Sequence, residues 1–311
     1  MGKAIDSNLE ARAQEYRLLV RAFFFRALRV FRGSAFCLIL LLSLGVSAQT
    51  QDLDRLSLAL QKGNTEQKRE ALFQLRNLRS EIASRAALSA LRDSDPIVRA
   101  TAAASVVFLP KQEAVAALVP LLNDRDAFVR KEAAYTLGRV ESPDAAAPLV
   151  GLLQREKDLE VLAAAAIGLG PTGNPAGVEP LLAILKRRPS EETEFLRRSA
   201  ARSVGRIAQV INTGSGYTVT PQNFLPDKYK KTNGEALTAD QQVFEAAVPV
   251  LSAVLQNRRE SDDTRREAAY ALGEMRSPVS IGVLRSNQNS PDPYLAEISR
   301  EALLKIEAAK K

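Results

Sequence analysis

Residues 130–138 read RKEAAYTLG, and residues 265–273 read RREAAYALG. Seven of these nine positions agree across 135 residues, so one structural phrase is used at least twice. A further copy, KREALFQLR, lies at 68–76. Weaker ones follow at 98–107 (VRATAAASVV), 159–168 (LEVLAAAAIG), 196–205 (LRRSAARSVG) and 298–307 (ISREALLKIE). Each copy follows a second helical segment, as in AVAALVPLLNDRD (114–126), AAAPLVGLLQREKD (145–158), GVEPLLAILKRRPS (177–190) and AAVPVLSAVLQNRRESDD (246–263). Val98, Val129 and Leu159 are spaced by 31 and 30 residues. A period of this length built from two helices predicts an all-α fold, an α-solenoid of about six to seven helix pairs.

The physics of one unit is legible. The first helix, A, ends in an acidic turn: RDSDP (92–96), NDRDA (123–127) or SDDT (261–264). Asp caps the following helix, B, and its charge favours the positive end of the helix dipole. Pro96 suits a first helical position, where no N–H is needed. Helix B then carries Val129, Ala133, Leu137 and Val140 along one face. Ala134 and Gly138 flank that stripe and are small enough to let a neighbouring helix come close. Ser142-Pro143, the Pro171–Pro175 segment and Ser277-Pro278 end the helices. A single pair cannot bury its stripe, so the pairs must stack.

Composition narrows the chemistry. Among 311 residues there is no histidine and no tryptophan, and Cys37 is the only cysteine. Imidazole bases, Ser-His-Asp and Cys-His nucleophiles and histidine-dependent zinc sites are excluded. No catalytic, cofactor-binding or metal-binding residues are expected, and the protein is read as a non-enzyme.

Residues 35–46 (AFCLILLLSLGV) form an uncharged apolar run after a segment bearing Arg21, Arg26, Arg29 and Arg32. Val46-Ser47-Ala48 follows, with small residues placed as at a signal-peptidase site. The run is short for a span, which needs about 20 residues. The expectation is a signal peptide over 1–48, removed after Ala48, and an exported protein that is periplasmic or secreted. An uncleaved anchor is the alternative, and membrane contact is expected only in that case. Residues 1–29 are long for the basic part of a leader, and a start near Val30 would give an ordinary one. Residues 1–48 hold seven Lys and Arg and three Asp and Glu, which leaves 36 and 33 in the rest and a net charge of +3. That balance gives no argument for a nucleic-acid partner. The repeats divide into an N-terminal block, 49–209, and a C-terminal block, 241–311. Between them, residues 210–240 form an inserted loop rich in Gly, Pro, Asn and Thr.

DRDAFVRKEAAYTLGRV (124–140) and DDTRREAAYALGEM (262–275) resemble the HEAT-repeat superfamily, in particular the short HEAT-like repeats associated with phycobiliprotein lyases. The resemblance extends over most of 53–309 apart from the insertion. It implies a solenoid and says little about function, since such repeats serve as scaffolds, adaptors, lyases and hydroxylases. The deoxyhypusine hydroxylases of this superfamily use His and Glu to bind iron, which a chain without histidine cannot do.

Arg99, Arg130 and Arg265 share one repeat position. They read as a ladder tying repeat to repeat, or else as a row of ligand-binding arginines. Glu160 and an Arg197 without an upstream Asp should interrupt the ladder mid-chain. Opposite the apolar stripe of helix B fall Lys131, Tyr135 and Arg139. The row through Tyr135 is read as Phe73, Ala104, Ala165, Arg202, Tyr270 and Leu304. The row through Lys131 includes Arg198 and Arg266, and Arg198, Arg202 and Arg206 make one basic stripe at i, i+4, i+8. Tyr135 and Tyr270 are expected where packing demands nothing. Second helices of HEAT-like units line the inner surface, so these residues are expected to form a partner-binding groove, the alternative being an ordinary solvated face. The insertion adds Tyr217, Phe224 and Tyr229 beside Lys228, Lys230 and Lys231. The expected function is that of a monomeric scaffold or adaptor that binds another protein. Two alternatives remain: a HEAT-like lyase or isomerase acting on a bound cofactor, and an anionic-surface binder using the arginine stripe.

Overall fold

The computed structural model describes residues 52–214 and 241–309. The expected leader and most of the expected loop, including Tyr217, Phe224 and Tyr229, lie outside the described residues. The repeats belong to one compact unit that begins at Leu56.

Among the described residues every regular element is helical. The first is α1, over residues 52–62. Then come α2 (Thr65–Asn77), α3 (Glu81–Ala87), α4 (Pro96–Ser105), α5 (Lys111–Leu118), α6 (Ala127–Val140) and α7 (Ala146–Arg155). They are followed by α8 (Leu159–Leu169), α9 (Val178–Leu185), α10 (Glu194–Thr213), α11 (Gln241–Gln256), α12 (Asp262–Glu274), α13 (Ile281–Asn287) and α14 (Pro293–Ala308). The even-numbered helices are the B helices, and α2 through α14 pack in chain order, each on the next. From α3 onward each odd-numbered A helix packs on the B helix that follows it, and α7, α9, α11 and α13 form a second layer. This is the α-solenoid, in seven helix pairs, that the period predicts.

Capping sets where the B helices start. Asp95, Asp126, Asp158 and Asp292 each accept a hydrogen bond from a backbone N–H two residues on, which satisfies a donor that the first turn leaves open. Asn64 caps α2 by accepting from the N–H of Gln67, three residues on, in a reciprocal box. The apolar stripe goes inside: Val129, Ala133 and Leu137 are fully buried and Val140 nearly so.

Close approach between B helices fixes the repeat register. A Cβ on Gly138 would stand 2.6 Å from the Gly168 Cα, so α6 and α8 touch backbone to backbone there. One step on, Gly170 faces Ser203, Gly205 faces Ala271 and Gly273 faces Ala302. The left-handed residues after the helices keep the same register: Glu141, Gly173 and Arg276, at φ 53°, 62° and 53°. Two sequence alignments therefore shift. The counterpart of Gly138 is Gly170, just past the end of α8, not Gly168, and α14 moves by three residues. The row through Tyr135 holds Ile167 and Glu301 where the sequence suggests Ala165 and Leu304. The alanine run of α8 is the physical reason, because a helix with small residues on every side offers no bulky landmark for its register.

Candidate inner-face cleft

Two of the three repeat-position arginines, Arg99 and Arg130, are rungs of a ladder; Arg265 is not, since it donates to the Leu255 carbonyl and to Asp262 of its own repeat, and Arg266 makes the link to the next turn through Asp292. The Arg99 guanidinium donates to both oxygens of Asp124, at 2.7 and 2.8 Å, and to the carbonyls of Asp93 and Ser94. Arg130 grips Glu156 in the same way, at 2.7 and 3.1 Å, and donates to the carbonyls of Asp124 and Arg125. Each cation thus ties its own A–B turn to the turn of the next repeat. Lys68 and Asp93 make the equivalent pair one step earlier. Burial alone would raise the Glu156 carboxyl, but Arg130 and the N–H groups of Lys157 and Asp158 outweigh it and hold the carboxyl down at about 2.

The expected interruption at Arg197 does not occur. Arg197 forms a two-pronged pair with Glu260 and donates to the carbonyls of Ile184, Leu185 and Arg187. Both side chains of the pair are almost fully buried, at 3% and 2% exposure. The two residues are 63 positions apart, so the rung crosses the whole insertion. Sequence inspection looked for an upstream Asp, whereas the partner comes from the following repeat. In the shifted register the row position in α8 is Leu162, so the ladder does break there, while Glu160 lies outside the row and pairs with Lys131 at 2.7 Å.

The basic stripe of α10 is largely neutralised. Arg198 donates to Asp263 at 2.9 Å and Arg202 to Glu267 at 2.7 Å, both on α12. Arg266 pairs with Asp263 and with both oxygens of Asp292. Burial raises the Glu267 carboxyl, and Arg202 offsets this only in part. Three cations also lie over rings at the helix starts: Lys131 over Phe128, Arg198 over Phe195 and Arg266 over Tyr294, at 5.0–5.3 Å.

The two tyrosines have different roles. Tyr270 packs across Gly205: a Cβ there would stand 2.7 Å from the Tyr270 Cε1. Its hydroxyl donates to the Gln209 side chain at 3.2 Å, and Lys305 lies over its ring. Burial pushes the phenol well up. Packing therefore does make demands at position 270, contrary to expectation, because the glycine of the preceding B helix leaves a slot for the ring. Tyr135 instead lines a cleft of about 350 Å³, together with Ile167 and Gly168 of the next B helix.

That cleft gathers residues from five B helices: Arg76 of α2, Ala104 of α4, Tyr135 and Arg139 of α6, Ile167 of α8 and Arg206 of α10. Helices packed about 9 Å apart in a flat row would put α2 and α10 about 36 Å from each other. Their arginines reach one cleft only because the B layer curves inward, so this face is concave. Arg139 is exposed and makes no ion pair among the described residues. Tyr135, Arg139 and Arg206 come together here. Lys131, Arg198, Arg202, Arg266 and Tyr270 lie on the same layer but outside the cleft. Sequence reasoning missed Arg76, Glu132, Glu141, Ile167 and Pro171 as lining residues. Ile167 and Pro171 were hidden by the register of α8. Glu141 follows the helix in a left-handed turn that its residue type does not announce. Among the described residues no cluster of acidic or sulfur side chains could hold a metal ion.

Residues 84–170 match the family of HEAT repeats, and residues 264–290 match the PBS lyase HEAT-like repeat. No curated protein matches. Among solved structures the chain is similar to an engineered protein at 22% identity, over 82% of this chain and 68% of that one, with a TM-score of 0.49. It is similar to the complex of CpcE and CpcF of phycocyanin lyase from Nostoc sp. at 18% identity, over 83% and 93%, with a TM-score of 0.46. A designed armadillo repeat protein in complex with the peptide (KR)4 shares 16% identity over 82% and 99%, with a TM-score of 0.44.

Proposed function

We propose that this HEAT-repeat solenoid is a protein-interaction scaffold whose concave B-helix face receives a segment of a partner protein. The observation that supports this most is the single cleft formed by five successive B helices, with a half-buried tyrosine and, at its centre, an exposed arginine that makes no ion pair among the described residues. Tyr and Arg are the side chains that most often carry binding energy at protein interfaces, because each offers a large contact area with a polar end. Tyr135 and Arg139 are the proposed anchors, Arg206 and Arg76 close the ends, and Lys131, Arg198, Arg202 and Arg266 shape the polar rim. Rim charges already paired within the protein direct approach more than they add affinity. Tyr217, Phe224 and Tyr229 of the insertion are proposed to add contacts. The protein is further proposed to act outside the cytoplasm as a monomer, after loss of residues 1–48. N-terminal sequencing of the protein from its native host tests this last point and should start at Gln49.

The binding reading is tested by affinity capture from the native extracytoplasmic fraction with wild type, Tyr135→Ala and Arg139→Glu. A specific partner should be retained by wild type and lost from both variants. Equal capture by all three would remove the cleft from the account.

A further inference from the structure

The A–B turns run along one edge of the solenoid, and their charge changes sign along the chain. The turns at 92–96, 123–127 and 155–158 are acidic or balanced, and their carboxylates are used by Lys68, Arg99 and Arg130. The next two, residues 186–193 (KRRPSEET) and 257–261 (NRRES), carry more cations than acids: Lys186, Arg187 and Arg188 against Glu191 and Glu192, and Arg258 and Arg259 against Glu260. Glu191 and Glu192 are exposed at the α10 end of the first turn, whereas Glu260 is buried against Arg197 and cannot neutralise the surface. Arg187, Arg188, Arg258 and Arg259 are all exposed, and none forms an ion pair among the described residues.

The two turns flank a second cleft, of about 510 Å³, between the end of α9 and α11. Its floor is aliphatic: Leu185, Pro189, Pro249, Val250 and Val254 line it, and no aromatic residue does. We propose that this edge is a second docking site, separate from the concave face, for an acidic linear segment of a partner protein that alternates carboxylate and aliphatic side chains. Arg187 and Arg188 line the recess, and Arg258 and Arg259 lie on the turn beside it, so guanidiniums can meet carboxylates through paired N–H donors while the recess takes aliphatic side chains. The recess argues against a lipid surface, since a flat layer of headgroups cannot enter it. The lack of rings argues against single-stranded nucleic acid, which binds by stacking its bases.

The test uses the full protein and a fluorescein-labelled peptide of alternating Glu and Leu, read by anisotropy at low and physiological salt. Saturable binding is expected, weakened by salt and reduced at least about tenfold by Arg187→Glu with Arg188→Glu, and again by Arg258→Glu with Arg259→Glu. These side chains are exposed, and the Arg187 carbonyl that Arg197 uses is kept, so far-UV circular dichroism should be unchanged. Tyr135→Ala should bind the peptide like wild type, which separates this site from the concave face. Three results would overturn the proposal: no saturable binding, equal binding by the charge-reversed variants, or binding to phosphatidylglycerol vesicles without binding to the peptide.

Discussion

The rung between Arg197 and Glu260 sets up the sharpest stability experiment. This link along the turn edge crosses from α10, before the insertion, to the turn that follows α11. The two side chains are 3% and 2% exposed, so neither charge can turn to water if its partner is removed. Removing one member of such a pair costs about 3–5 kcal/mol, mostly from leaving the other charge buried and alone. Glu260→Ala should therefore lose about 4 kcal/mol, which for a chain of this size lowers Tm by roughly 8–16 °C. Arg197→Met should cost less than Glu260→Ala, because its methylene stem is replaced by apolar volume, although three carbonyls lose a donor. The double variant Arg197→Met with Glu260→Met removes both charges and should recover part of the loss. Because repeats contact only their neighbours, the damage should be local. Hydrogen exchange in Glu260→Ala should speed up in α11–α14 well before it does in α2–α6. Urea melts together with hydrogen-exchange mass spectrometry supply both readings. A loss below about 1 kcal/mol in Glu260→Ala, or a double variant less stable than the sum of the singles, would refute the reasoning about an isolated buried charge.

Three further outcomes follow from the packing and the carboxylates. Gly205→Ala places a Cβ 2.9 Å from the Ala271 backbone and 2.7 Å from the Tyr270 ring, so it should destabilise by about 1–3 kcal/mol in thermal melts; pairing it with Tyr270→Ala should recover only the ring's share. Glu156 has its folded carboxyl held down at about 2 against an ordinary 4.5, so its contribution is present above about pH 4.5 and is lost as pH falls towards 2; in Glu156→Gln the acid limb of a stability–pH curve should flatten, at a cost on the order of 2 kcal/mol at pH 7 once solvent screening is allowed for. Glu267 has the opposite sign: burial raises its folded carboxyl despite Arg202, so its stabilising contribution lies at low pH and is lost as pH rises through the folded value. Glu267→Gln should therefore leave stability at pH 7 unchanged or slightly higher, where Glu156→Gln lowers it.

The repeat was legible because its signals are local and periodic: acidic caps, an apolar stripe and small residues at the crossing. Asp126 before α6 and Val129, Leu137 and Gly138 within it behave as their spacing requires. What the sequence hid was relational. Arg197 looked unpartnered because Glu260 is close only once the chain has crossed the insertion. Tyr270 looked free because the slot it fills is made by Gly205 of another helix. The stripe of Arg198 and Arg202 looked like an exposed field because the acids that face it, Asp263 and Glu267, are on α12. The register of α8 slipped because its alanines are interchangeable to a pattern and distinct to a neighbour, where Gly168 alone admits the backbone of α6. Surface function suffers most from this kind of blindness, since which cations remain unpaired is a property of the stack.

The central claim is that the concave B-helix face, centred on Tyr135, is where a partner binds. It is tested most directly by a photoreactive phenylalanine analogue placed at position 135 and, as a control, at Ala183, an exposed position on helix α9 of the outer layer. After irradiation in the native extracytoplasmic fraction, position 135 should give a discrete crosslinked protein that Arg139→Glu abolishes, and position 183 should not give it. The same product from both positions, or none from position 135 while the intact protein still captures its partner, would contradict the account.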